Sequence, residues 1–151
     1  MFSKQDYKMG FDLAGFILVL GVMFPNLIWF AVPAVNDVLR RESVTPVVDQ
    51  IASVFQVIMI ASLCIIVNQS CRKPMKKVWS GGIVALVVLY YAGWCLYYSG
   101  SVYPVVILDL CIAPCLAFVF FSLVRKNAAA FLSAVIFMIC HILFGVVNFM
   151  M

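Results

Sequence analysis

Residues 104–149 read PVVILDLCIAPCLAFVFFSLVRKNAAAFLSAVIFMICHILFGVVNF, two long apolar runs parted only by Arg125, Lys126 and Asn127. A helix needs about 20 mainly apolar residues to cross a bilayer, and each run supplies them. Neither alternates as a barrel strand would. Working outward from this pair, three more runs of the same kind precede it. The sequence therefore predicts spans at about 11–32, 47–67, 78–98, 104–124 and 128–149. The expected fold is an all-α integral membrane protein, a single transmembrane domain over residues 1–151 built as a bundle of five transmembrane helices.

Composition leads to the same class. Apolar residues make up 66% of the chain and charged residues 11%. Soluble domains are nearer half and a quarter, so too little polar surface is available to cover a water-facing exterior. The net charge of +4 does not read as a nucleic-acid footprint, because the cations sit in short loops between apolar runs. Their distribution predicts orientation instead. Lys4, Lys8, Arg72, Lys73, Lys76, Lys77, Arg125 and Lys126 fall on one side, and Arg40 and Arg41 on the other. Positive charge favours the cytosol, which places the N-terminus in the cytosol and the C-terminus outside. Trp29, Tyr97, Tyr98 and Tyr103 form the expected outer aromatic belt, and Tyr7 and Trp79 the inner one. The first run is long and interrupted by Pro25-Asn26, so it reads as a retained span rather than a signal peptide. The connection over residues 33–46 is the longest, and a short interfacial helix is expected there. Short loops favour a bacterial inner membrane as the location.

Polar groups within a span are costly unless partnered, so they are the first places to look for function. Asp109, His141, Asn26 and Gln56 are the candidates, with Asp49 and Gln50 near the outer end of the second span. At about 1.5 Å per residue, the four would lie roughly 8 to 14 Å below the outer face, in one slab. Helical periodicity adds that Asp49, Ser53 and Gln56 share a face, as do Asp12, Gly15, Val19 and Asn26. Ala130, Ala134, His141, Gly145 and Asn148 make a small-and-polar stripe suited to helix contacts. The aromatic run Tyr90, Tyr91, Trp94, Tyr97, Tyr98 could wall a pocket for an amine or a flat apolar molecule.

These residues predict a ligand-binding cavity open to the outside. Asp109 and His141 would be a charge-bearing pair, with Asn26, Gln56 and Trp94 giving orientation and a wall. The expected partners are the lipid bilayer and a small-molecule or ion ligand, with a protein partner or a second copy as a further option and no nucleic acid. The contrasting expectation is a non-catalytic membrane subunit or regulator, whose polar residues hold helices together while the small face of the fifth span docks a partner. No cofactor and no metal site is expected, and enzyme chemistry is disfavoured. The chain has no H-E-x-x-H and no glycine-rich phosphate loop, and no Glu in any span. Cys111 and Cys115 are four apart rather than in a Cys-x-x-Cys pair, and read as packing residues.

Overall fold

A computed structural model of the chain describes residues 7–71 and 75–150. Of the basic residues used for orientation, Lys4, Arg72 and Lys73 lie outside the described residues. Five helices carry the fold: α1 (Leu13–Ala31), α2 (Pro46–Ile65), α3 (Lys77–Tyr98), α4 (Pro104–Val124) and α5 (Ala128–Phe149). All five are long and apolar enough to cross a membrane. A two-stranded antiparallel ribbon, absent from the sequence reading, joins β1 (Tyr7–Met9) to β2 (Ile66–Asn68).

Capping chemistry sets the helix boundaries. Asp12 precedes α1 and its carboxylate accepts from the N–H groups of Ala14 and Gly15, at 3.0 and 3.2 Å. These are two of the donors that a helix start leaves without partners. Pro46 and Pro104 open α2 and α4 at the position where a missing N–H costs nothing. Asn127 caps α5 by accepting from Ala130 N–H at 3.1 Å. The turn between α4 and α5 closes with Asn127 N–H on Ser122 C=O and Lys126 N–H on Leu123 C=O. That pattern requires a left-handed residue, and Lys126 takes it with φ 47°. At the far end of α3, Gly100 does the same with φ +93°.

α4 is the central helix, with 67% of its span buried, whereas no other span exceeds 33%. α3 and α5 pack along it, and α2 packs along α5. Small residues allow these close approaches. Ala130 and Ala134 are fully buried, and a side chain at Gly145 would meet Cys111 Sγ at 2.8 Å. The small-residue stripe of α5 is thus spent inside the bundle, which corrects the expectation that it could serve as an external docking face.

α1 is different. It closes the ring between α2 and α3 with few close backbone approaches to either. Near its start it presses on α2, where a Cβ at Gly15 would collide with the Leu63 carbonyl. The N–H groups of Gly10 and Asp12 donate to Ile65 and Cys64 carbonyls, both at 2.9 Å. Further along, α1 leaves α2 and is fastened to α3 by tyrosine hydroxyls. Pro25 explains one of these bonds. Having no N–H, it leaves the carbonyl four residues back, Gly21, without its helical donor. Tyr91 OH donates to that carbonyl at 2.8 Å. Tyr98 OH donates to Val32 C=O at 2.8 Å, and Asn26 Nδ2 donates to Tyr90 OH at 2.7 Å.

Candidate functional site

The splay between α1 and α2 leaves a cavity of about 430 Å³. Every helix contributes to its wall. α1 supplies Val22, Met23, Asn26 and Trp29, and α2 supplies Asp49, Ala52, Ser53, Gln56, Met59 and Ile60. Tyr90 and Trp94 come from α3. Leu110, Cys111, Pro114 and Phe118 come from α4, and Phe137, His141 and Phe144 from α5. The three polar residues of α2 recur at the helical period, so one face of that helix carries them all.

The segment 32–45 covers the cavity at the end where Asp37 lies. Asp37 is its anchor, with a side chain only 10% exposed. Its Oδ1 accepts from Trp29 Nε1 at 2.9 Å and from Tyr97 OH at 2.8 Å. Its Oδ2 accepts from Ala34 N–H at 3.2 Å and pairs with Arg40 Nε at 2.8 Å. Burial by itself would raise the carboxyl, but these four donors outweigh it and hold its pKa below the ordinary value of 3.8. Arg40 also donates to the Trp29 and Phe30 carbonyls and lies over the Trp29 ring, 4.9 Å from its centroid. The expected short helix in this segment is a single 3-10 turn, Val38–Arg40. Leu39, within it, lines the cavity and donates its N–H to Tyr97 OH at 3.1 Å. The other end of the segment is held by Asn148, which accepts from Val44 N–H at 2.8 Å and donates to Thr45 Oγ1 at 2.9 Å. The cover is therefore stapled at both ends, and the loosest side of the wall is the seam between α1 and α2, which make few close backbone approaches. Ser53 lines the cavity and is exposed there, and only a long contact from Gln56 Nε2 to Met23 Sδ, 3.8 Å, bridges the seam at mid-depth.

Of the five residues predicted to form a site, Asn26, Gln56, Trp94 and His141 line this cavity. Asp109 does not. It lies about 140° round α4 from Pro114 and faces α3, where its Oδ2 abuts Gly93 and has no hydrogen-bond partner. α4 is covered on most sides, so a polar residue on it can face any of several neighbours, and periodicity alone does not choose between them. The predicted Asp109–His141 pair is thus not assembled. The carboxylate that shares the cavity wall with His141 is Asp49. The Asp49, Ser53 and Gln56 face was the signal that could have promoted it.

His141 is stacked between Phe137 and Phe144 of its own helix, at centroid distances of 5.0 and 6.1 Å. Of the aromatic run of α3 only Tyr90 and Trp94 line the cavity, with Trp29 beside them; Tyr91, Tyr97 and Tyr98 do not. Trp94 is at the centre of the aromatic group, 5.7 to 6.4 Å from the rings of Tyr97, Tyr98, Tyr90 and Trp29. Trp94 is buried, and its Nε1 is close to the Tyr90 hydroxyl without forming a well-aligned hydrogen bond. Cys111 lines the cavity, whereas Cys115 is fully buried beside it, and both are free thiols. Among the described residues, no three His, Cys, Asp or Glu side chains come together as a metal site would require.

The opposite end of the bundle is closed by polar contacts. Asp12 and Arg125 form an ion pair at 3.2 Å. Asn127 Nδ2 donates to the carbonyls of Ser62 and Ile66, and Tyr7 OH accepts from Ala128 N–H at 2.8 Å.

No protein-family model matches the chain, and no curated protein or solved structure matches it. The five long apolar helices fit a multi-pass membrane protein, and the function rests on the geometry alone.

Proposed function

We propose that the chain sits in the cell membrane with its N-terminus in the cytosol and its C-terminus outside, and holds a small molecule or ion in the cavity near the outer face. The observation that carries this reading is the cavity wall: all five helices contribute, and its polar side chains gather in one half of the bundle. Cavities of about 300 to 1,000 Å³, mostly apolar with a few placed polar groups, are typical of ligand sites. The positive-inside bias supports the orientation, with Lys8, Lys76, Lys77, Arg125 and Lys126 at the end opposite Arg40 and Arg41. The short connections suit a bacterial inner membrane.

The test is thermal unfolding of the purified protein against a panel of ions, amines and lipids. A ligand for the folded state raises stability with the logarithm of its concentration over Kd. Stabilisation that Gln56→Ala or Asn26→Ala removes supports the reading. No stabilisation by any member, with a chain that purifies only in company, supports a membrane subunit instead. One observation favours that second reading: Gly81, Gly82 and Ala85 leave an exposed small-residue face on α3, with open space beside both glycines.

A further inference from the structure

Resting on that reading, we infer that the cavity takes a cationic amphiphile, an amine head paired with the Asp49 carboxylate and an apolar tail lying deeper between the helices. Charge is the first argument. Asp49 is the only acidic residue of the wall, and no Lys or Arg lines it. The ion pairs of the described residues, Arg40–Asp37 and Arg125–Asp12, leave Asp49 without a cationic partner. Its Oδ1 accepts only a long bond from Thr45 Oγ1, 3.3 Å. An anionic ligand would meet this carboxylate with no Lys or Arg of the wall to offset it, whereas an ammonium would satisfy it. The aromatic wall of Trp29, Trp94 and Tyr90 is compatible with a cation too, since ring faces attract positive charge.

The second argument is the gradient of the wall. Counted at about 1.5 Å per residue from the helix ends, Asp49 lies roughly 5 Å down, Asn26 about 8 Å and Gln56 about 15 Å. Ile60, Phe118 and Phe137 lie roughly 18 to 21 Å down on the same scale. The polar groups thus run from the covered end to mid-depth and the floor below them is apolar, which matches a molecule with a polar head and an apolar tail. The third argument is access. The cover is stapled at Asp37 and Asn148, while Ser53 of the wall is exposed and α1 makes few close approaches to α2. A loose side at lipid level favours molecules that partition into the bilayer first.

The experiment uses the full chain in nanodiscs of phosphatidylcholine, which carry no net surface charge. Intrinsic fluorescence is titrated with decylamine, decanol and decanoate, since Trp29 and Trp94 flank the cavity. Decylamine should bind, decanol about tenfold more weakly or worse, and decanoate not at all. Asp49→Asn, close to isosteric, should bring decylamine down to the level of decanol, and Asp49→Glu should restore part of the difference. If decylamine and decanol bind alike and Asp49→Asn changes neither, the inference is overturned while ligand binding stands. If none of the three gives a saturable change in a folded protein, this inference fails, and the cavity reading is decided by the unfolding panel.

Discussion

The two ends of this bundle use polar residues for opposite purposes. Around Arg125, polar groups meet one another and the helices close up: Asp12 pairs with Arg125, Asn127 bridges two carbonyls of the α2–β2 junction, and Gly15 brings α1 onto α2. Around Asp37, polar groups staple a covering segment, and below it Asn26, Ser53, Gln56 and His141 are left around a hollow. Burial of apolar surface does little to hold helices together in lipid, which is as apolar as they are. Close packing and hydrogen bonds then decide: the Arg125 end uses both together, whereas the Asp37 end spends its hydrogen bonds on the cover.

The largest expected effect is at the closed end. Gly15→Ala drives a methyl group into the Leu63 carbonyl, a backbone atom that cannot step aside. A loss of about 3 kcal/mol is expected from such overpacking, read as a fall in Tm. Next is the staple. Asp37→Ala strands Trp29, Tyr97 and Arg40, with an expected loss of about 2 kcal/mol because a charged acceptor is removed. The same carboxyl gives a pH signature. A group whose folded pKa is lowered contributes fully above its unfolded value, here 3.8, and loses that contribution as pH falls through the folded value. Asp37→Asn should therefore differ most from the native protein above pH 3.8 and converge on it in stronger acid; a constant gap would show that the charge is not what matters.

Smaller is the bond that replaces a helical one. Tyr91→Phe should cost about 1 kcal/mol by abandoning the Gly21 carbonyl. Pro25→Ala returns a helical N–H to that carbonyl, so Tyr91→Phe should cost less in its background. An additive double mutant would separate the tyrosine from the proline. The smallest effect is at Gly21 itself. Nothing lies near a Cβ there, so Gly21→Ala should change stability by less than about 0.5 kcal/mol, a direct contrast with Gly15.

The helices were legible because each is a run of about 20 mainly apolar residues, with Pro46 and Pro104 at the openings of α2 and α4. Predicted and observed bounds differ by at most two residues, the largest gaps being at the start of α1 and the end of α2. The β1–β2 ribbon was not legible, since three-residue strands carry no period. In the site, polarity within a span found Asn26, Gln56 and His141, and the aromatic run found Trp94. Asp109 was misplaced because α4 has neighbours on most sides. Asp37 was missed because a loop has no periodicity, and its five-way meeting with Trp29, Ala34, Arg40 and Tyr97 exists only once the helices are side by side.

The central claim is that one half of the bundle is filled and the other hollow. Ala130 is fully buried at the closed end, and Ala52 is a buried wall residue of the cavity. The measurement is the Tm of Ala130→Leu beside that of Ala52→Leu. Overpacking should cost Ala130→Leu about 2 kcal/mol or more, while Ala52→Leu extends into empty space and stays within about 1 kcal/mol of the native protein. Equal losses at the two sites would mean that the Asp37 half is as tightly filled as the other, and would contradict the cavity on which the proposed function rests.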